Sequence, residues 1–150
     1  MNSIKKVLVP LDFSENSPKL LRTALFYIAK LEAQPLIIYV VEELSSISWL
    51  SIPHISFDIL GEELVKAAKK KMDNFLEENM PADLLYKAKV VSGDVPQEII
   101  DYAGLEGVDL IIIGTHGYKG LEKIIMGSVA AQVLQSAPCP VLAVNPYKLG

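Results

Sequence analysis

The sequence is short of the side chains that build disulfides, metal sites and polyanion-binding surfaces. It has one cysteine, Cys139, two histidines and, among its 14 basic residues, a single arginine, Arg22. A lone cysteine cannot form a disulfide within the chain, and these few residues lack the ligand spacing of a zinc site. A formal net charge of −4, without a basic stripe, argues against nucleic-acid binding. We therefore expect neither a metal centre nor a nucleic-acid partner.

Long apolar runs are missing as well. No apolar stretch approaches the roughly 18 to 20 residues that a helix needs to cross a bilayer. The apolar run at 7–11 follows two lysines but ends at Asp12 and a polar cluster, which predicts a strand rather than a signal peptide. The sequence thus predicts a cytoplasmic protein in a reducing compartment, without a membrane partner.

What the chain does contain is apolar residues in quantity. Its 150 residues are 51% hydrophobic and 21% charged, with a mean hydropathy of +0.32. A chain of this length can remove roughly 70% of its unfolded surface from water, so we expect a single domain over residues 1–150. The hydropathy is high for a monomer. The excess belongs either in strands covered on both faces or in a surface that another subunit covers.

Strands alternate with helices along the chain. Apolar runs predict strands at 7–11, 36–41, 84–91, 108–113 and 140–144. Helical periodicity predicts helices that begin after a Ser14 or Ser17 cap, at residue 59 or 60, after an Asp94 cap with Gln97 at capping-box spacing, and at Ser128.

Two breaks in this periodicity are informative. The pair Gln34-Pro35 is expected to stop the first helix. The stretch 42–58, which includes Trp49 and His54, fits no period. We interpret it as a long loop that acts as a lid or a mobile segment, with those two residues in packing or lid roles rather than as ligands.

This alternation favours a doubly wound, parallel, five-stranded sheet with helices on both faces, an α/β three-layer sandwich. Ligands of such sheets bind beyond the carboxyl ends of the strands, where the winding direction reverses. That rule selects the ends of the first and fourth strands, which lie next to Asp12 and Gly114. We expect the two loops to face each other across one crevice.

A glycine-rich segment runs from Gly114 to Ser128. It matches neither the Walker A pattern nor G-x-G-x-x-G. Glycine lets backbone N–H groups approach a ligand, successive N–H groups make an anion nest, and a helix that opens at Ser128 adds N–H donors. These features favour a phosphate site. The same glycines also fit a plain strand end at Gly114 and a helix-entry turn at Gly127, so the residues alone leave both interpretations open.

The spacing G-x-x-G-x(9)-G-S, with the opening VPLDFS at 9–14 and the ending PCPVLAV at 138–144, resembles the ATP-binding branch of the universal stress protein family. The resemblance covers essentially the whole chain. It implies the strand order 3-2-1-4-5 of the adenine-nucleotide alpha-hydrolase-like fold. It also implies ATP, or AMP or ADP, as ligand, with Mg²⁺ as an optional companion, and a homodimer that pairs through the C-terminal strand.

The resemblance also implies site residues. The adenosine would lie among Pro10, Leu11, Asp12, Val40 and Ile113. The ribose and phosphates would be held by Gly114, His116, Gly117, Gly127, Ser128 and Val129. Leu11 departs from the small hydroxyl residue of many relatives, so a hydrogen bond from that side chain is lost. Ser128 is at least a helix cap, Asp12 also fits a loop cap, and His116 also fits a buried loop histidine.

No catalytic constellation accompanies this site, which favours a regulatory stress-response switch. Bound nucleotide would order the 42–58 loop and change the surface offered to a downstream protein partner. The alternative is a slow ATP hydrolase, with Asp12 or His116 positioning water. It lacks an arginine near the glycines, for which Lys119 or Lys123 could substitute. A flavodoxin-like mononucleotide protein is a third alternative.

Overall fold

The structure, a computed structural model, describes residues 3–43, 57–117 and 126–148. Its strands are β1 (Lys6–Leu11), β2 (Gln34–Glu42), β3 (Lys87–Gly93), β4 (Leu110–Gly114) and β5 (Val141–Val144). Its helices are α1 (Ser17–Leu31), α2 (Phe57–Asn79), α3 (Val95–Glu106) and α4 (Ser128–Ser136), and a 3-10 turn, Pro146–Lys148, follows β5. The strands pair in parallel in the order β3-β2-β1-β4-β5. The predicted fold class and strand order are confirmed.

An apolar cluster covers each face of the sheet. On one face α1 and α2 pack against the strands, and the cluster includes Val9, Leu21, Ile28, Ile37, Met72 and Leu76. On the other face α3 and α4 do so, and the cluster includes Leu8, Ile38, Ile99, Ala103, Ile111 and Val133. Successive residues of the central strands alternate between the two clusters. Continuous apolar runs are the result, because neither face of these strands meets water.

Pro35 lies inside β2 rather than at the end of the first helix, so that expectation was wrong. α1 ends at Leu31, where Glu32 takes a left-handed conformation (φ 53°) and its N–H bonds back to carbonyls of the last turn. The N–H of Gln34 then donates to the carbonyl of Lys5 (2.7 Å), which begins the ladder. Pairing with β3 starts only at Leu36, so the N–H that proline lacks is not needed.

Other boundaries differ by a few residues. β3 lies at a sheet edge, as its partial alternation indicated, but spans Lys87–Gly93. The side chain of Asp94 caps α3 by accepting from the N–H of Gln97 (3.2 Å). The capping box is only half formed, because the Gln97 side chain donates to Asp101 instead (2.8 Å).

The predicted 42–58 loop is too long at both ends, because β2 includes Glu42 and α2 begins at Phe57, before the predicted start at residue 59 or 60. Residues 44–56, with Trp49 and His54, lie outside the described residues, and so does the lid interpretation. Within the described ranges, none of the helices has the length and apolarity to traverse a bilayer.

Asp109 joins the start of β4 to the start of β1. Its Oδ2 accepts hydrogen bonds from the backbone N–H groups of Lys5 (2.9 Å) and Lys6 (3.0 Å). Because these bonds favour the ionised form, they lower the pKa of Asp109 below its ordinary value of 3.8.

We expect Asp109→Asn to lower stability at neutral pH and to flatten its acid dependence. The carboxylate stabilises the native state above its unfolded pKa, and that contribution is lost as pH falls toward the lowered native pKa. The gap between wild type and variant in urea unfolding should therefore shrink between about pH 5 and pH 3. Asp73→Asn, at an exposed position on α2, is the charge-matched control. A gap that stays constant with pH contradicts the prediction.

Candidate functional site

The loops that follow β1 and β4 meet at the carboxyl edge of the sheet. β1 and β4 are neighbours, with Leu8 paired to Ile111. The chain leaves β1 toward β2 and leaves β4 toward β5, so the winding reverses between them. The amide nitrogen of Asn16 donates to the carbonyl of Gly117 across this junction (2.6 Å). The two loops therefore face each other, as expected from the sequence.

Asp12 organises the loop between β1 and α1. Its Oδ1 accepts hydrogen bonds from the N–H of Ser14 (2.9 Å) and the hydroxyl of Ser17 (3.0 Å). Phe13, which lies between Asp12 and Ser14, has a backbone conformation in the left-handed region (φ 57°). Residues with bulky side chains rarely adopt this conformation. Asp12 thus makes the loop-capping contacts that its position suggested. Its other oxygen, Oδ2, lies against Gly117 of the opposite loop.

The N-cap of α1 is Asn16, not Ser14 or Ser17 as expected. The carbonyl of Asn16 accepts the first helical hydrogen bond, from Leu20 (3.0 Å), and its side chain makes no capping bond. The serines are unavailable because the Ser17 hydroxyl bonds Asp12 and the Ser14 hydroxyl accepts from the N–H of Asn16 (3.4 Å).

The three motif glycines differ in their need to be glycine. A Cβ on Gly117 would collide with Oδ2 of Asp12, and a Cβ on Gly127 would lie 3.1 Å from the carbonyl oxygen of Thr115. At Gly114 the nearest atom, in Leu20, would be at an ordinary contact distance of 3.5 Å. A side chain at 117 therefore requires the Asp12 carboxylate to move, one at 127 crowds a backbone carbonyl, and position 114 leaves room for a methyl group.

Thr115 connects the glycine segment to β5. Its N–H donates to the carbonyl of Val144 (2.9 Å), and its carbonyl accepts from the N–H of Gly127 (2.8 Å). Its hydroxyl lies 2.6 Å from Nδ1 of His116. The His116 side chain is buried and meets Tyr147 edge-on, with 5.5 Å between ring centroids. His116 thus has the environment of a buried loop histidine, and its ring is held within the protein.

α4 begins at the crevice with its first turn uncapped by any side chain. Its N-cap is Gly127, whose carbonyl accepts from the N–H of Ala131 (3.0 Å). The expectation that Ser128 caps the helix was wrong, because Ser128 is the first helical residue, and it is exposed. The N–H groups of this turn and the helix dipole favour an anion.

The apolar residues assigned to the adenosine divide between the two faces of the sheet. Val40 and Ile113 are buried in the cluster beneath α3 and α4. Val129, which was assigned to the ribose and phosphates, packs against the same cluster. Pro10 is buried in β1. The Leu11 side chain lies in the opposite cluster, so only its backbone remains for a ligand on the side of Val40.

Three residues at this junction were missed by sequence reasoning: Asn16, Thr115 and Tyr147. Thr115 lies inside the glycine segment, but it is not one of the residues that the motif specifies. Asn16 and Tyr147 carry no signal at all, because their contacts join residues 101 and 131 positions apart. Residues 118–125, with Lys119 and Lys123, lie outside the described residues.

No second reactive centre is seen in the described ranges. They hold no group of three or more histidine, cysteine or acidic side chains suited to a metal ion. Burial and the charge of Asp109 raise the pKa of the Cys139 thiol, against a smaller effect of a backbone hydrogen bond, which makes it a poor nucleophile. A groove of about 420 Å³ lies between the end of α1 and the segment before β3, lined by residues such as Ile28 and Leu84. It contains none of the predicted site residues.

The fold and the site define a class, the doubly wound α/β proteins whose ligand sites lie at the switch point of a parallel sheet. Within that class, residues 3–145 match the model of the universal stress protein family. The chain belongs to this family, as its motifs indicated.

Relatives match over most of their length. A universal stress protein of Methanocaldococcus jannaschii is 31% identical, over 98% of this chain and 85% of its own. Universal stress protein A homolog 2 of Coxiella burnetii is 35% identical, over 97% of both chains. The solved structure of MJ0577, also from M. jannaschii, is 31% identical and superposes with a TM-score of 0.78, over 95% of this chain and 96% of its own.

Two more distant universal stress proteins have been solved with adenine nucleotides. One is in complex with cAMP (20% identity, TM-score 0.65), covering 97% of this chain and 99% of its own. The other, from Archaeoglobus fulgidus, is in complex with dAMP (17% identity, TM-score 0.56), covering 94% and 98%. At this distance the similarity to our chain is one of fold.

Proposed function

We propose that this protein binds an adenine nucleotide, ATP, between the loops after β1 and β4, and acts as a regulatory switch of the cytoplasmic stress response. The single observation that supports the site best is the start of α4. Its first turn has no side-chain cap, and Gly127 is bonded to the glycine loop through Thr115 (2.8 Å). Free N–H groups at a helix start attract phosphate without needing arginine.

The base would lie on the α3 and α4 side of the sheet edge. Val40 and Ile113 offer apolar contacts there, and Pro10 is buried in the neighbouring strand β1. Asp12 is exposed and has an oxygen directed at Gly117. A carboxylate repels phosphate, so we assign Asp12 to the adenosine. We assign Gly114, Gly117, Gly127, Ser128 and Val129 to the ribose and phosphates, together with the backbone of His116, whose ring is buried. Universal stress proteins of this fold that hold cAMP and dAMP support the choice of adenine.

We expect isothermal titration to show saturable binding of ATP with Mg²⁺, and ATP to raise the melting temperature. At a hundred times the dissociation constant, a ligand of the native state adds about 2.7 kcal/mol of stability, which corresponds to roughly 5 to 10 °C for a domain of this size. AMP and ADP, titrated alongside, show which nucleotide is preferred, and GTP is the control for the base. Absence of heat and of a thermal shift at millimolar ATP would refute the proposal.

The structure adds no observation in favour of the alternative, a slow ATP hydrolase. Asp12 and His116 were the residues considered for positioning water. Oδ1 of Asp12 already holds Ser14 and Ser17, and Nδ1 of His116 lies against the Thr115 hydroxyl. We therefore propose the switch, whose bound nucleotide alters the surface presented to a protein partner.

We also propose a homodimer that pairs through β5, which lies at a sheet edge. The carbonyls of Pro140 and Val144 bond toward β4. In a parallel ladder alternate residues bond to the same neighbouring strand. Val141 and Ala143 therefore direct their N–H and C=O groups outward, away from β4. An edge of this kind is normally covered.

Sedimentation at micromolar concentration should therefore give a dimer mass for the wild type. Ala143→Pro removes one outward N–H and leaves the donors that pair with β4, so it should shift the mass toward the monomer. Thermal melting of the variant checks that it is folded. A wild-type monomer, or a variant that is folded and fully dimeric, argues against pairing through β5.

A further inference from the structure

Asn16 is the N-cap residue of α1, but its side chain makes no capping hydrogen bond. An asparagine at this position ordinarily accepts a hydrogen bond from the first helical turn. Here the side chain makes no such bond, and its amide nitrogen donates to the carbonyl of Gly117 (2.6 Å). Asn16 is only 6% exposed. Its amide is therefore committed to the glycine loop rather than to its own helix.

Tyr147 joins the same contact from the C-terminal 3-10 turn. The Asn16 amide nitrogen also lies 3.3 Å from the Tyr147 hydroxyl, which accepts from it. The tyrosine ring meets His116 at an interplanar angle of 84°. Its backbone N–H is held by Oδ1 of Asn145 (3.0 Å). The C-terminal turn therefore contacts two successive loop residues, His116 directly and Gly117 through Asn16.

The hydrogen bond from Asn16 to Gly117 affects how the glycine loop can bind phosphate. Phosphates are bound by N–H groups, and a carbonyl oxygen directed at them is repulsive. The hydrogen bond from Asn16 directs the Gly117 carbonyl toward the start of α1. The Asp12 carboxylate also lies against Gly117, where an added Cβ would collide with it. Gly117 thus contacts two side chains of the β1–α1 loop, those of Asn16 and Asp12.

We propose that Asn16 and Tyr147 are positioning residues that keep the Gly117 carbonyl away from the phosphates and thereby set the affinity for the nucleotide. The inference rests on the proposed function, because it concerns the same site. It assigns a role to two residues outside the glycine motif. Both act through the loop and not by touching the nucleotide.

The test compares Asn16→Ala and Tyr147→Phe with Asn79→Ala. Asn79 also donates its amide to one carbonyl, that of Phe75 (2.8 Å), but lies at the end of α2, so it is the matched control. Calorimetry measures ATP and adenosine with each variant. Asn16→Ala should weaken ATP about tenfold, since a freed carbonyl then faces the phosphates. Tyr147→Phe, which keeps the ring, should weaken ATP less. Adenosine binding should hardly change, whereas a general loss of structure would weaken both ligands.

Hydrogen–deuterium exchange in the unliganded proteins separates this inference from the proposed function. Exchange at residues 114–117 should quicken in Asn16→Ala and stay unchanged in Asn79→Ala. If wild type binds ATP and Asn16→Ala keeps the same ratio of ATP to adenosine affinity, the inference is overturned. If wild type binds no ATP, the proposed function fails; faster exchange in Asn16→Ala alone would then still support loop positioning, and unchanged exchange would overturn it.

Discussion

Replacement of Gly117 by alanine is expected to weaken ATP binding by about 100-fold or more. The new Cβ would occupy the position of the Asp12 carboxylate. Either Asp12 moves and loses its bonds to Ser14 and Ser17, or the loop moves away from Asn16. Both responses displace the glycine loop. Titration with ATP measures the affinity, and thermal melting measures the accompanying loss of stability.

Gly104→Ala is the matched control for that result. Gly104 lies in α3, and its added Cβ would meet nothing within 4 Å, so the variant should bind ATP normally and be up to about 1 kcal/mol more stable. A double-mutant cycle isolates the clash. If the carboxylate causes it, Gly117→Ala should destabilise less in an Asp12→Ala background than in wild type. A Gly117→Ala protein that binds and melts like wild type would mean that the two loops do not pack as described.

Leu8→Ala is expected to produce the largest loss of stability, about 3 to 5 kcal/mol. Leu8 is fully buried in β1 and pairs with both β2 and β4. Truncation removes apolar contacts from the centre of the sheet and leaves a cavity that paired strands cannot close. A domain of this size has roughly 7 to 15 kcal/mol of stability, so the variant should unfold at a much lower urea concentration, with an unchanged slope.

The same substitution at Leu105 provides the comparison. Leu105 lies on α3 and is 84% exposed, so Leu105→Ala should change the unfolding free energy by no more than about 0.5 kcal/mol. Equal effects at the two positions would contradict the assignment of Leu8 to the core. Equal effects would also remove the basis for a sheet covered on both faces.

The elements themselves could be predicted because local patterns carry them. Apolar runs without alternation indicated strands with both faces covered, and β1, β2 and β4 have that burial. Asp94 was correctly predicted to cap α3. The wrong predictions concern residues whose conformation or hydrogen bonds depend on segments distant in the sequence or on the surrounding loop. The sequence pattern predicted that Pro35 ends a helix. Pro35 instead lies in β2, where it is tolerated because the pairing of β2 with β3 begins only at the next residue, Leu36.

The helix starts at the site show the same limit. Ser14 and Ser17 are good caps by residue type, but Asp12 and Asn16 use their hydroxyls in the loop. Ser128 follows a glycine that becomes the N-cap itself. At α1 the expected capping serines are engaged in loop hydrogen bonds, and at α4 a glycine takes the N-cap position instead of Ser128. Residue preferences alone do not predict either outcome.

By itself, the sequence determined the class of fold, the edge of the sheet at which the loops after β1 and β4 meet, and the family. The reason is that alternating apolar periods and the spacing of Gly114, Gly117, Gly127 and Ser128 are properties of neighbours along the chain. Only the tertiary structure decided which residues Gly117, Asn16 and Tyr147 contact. Those facts depend on distances across β1, β4 and the C-terminal turn. Such distances exist only once the sheet has brought these segments together.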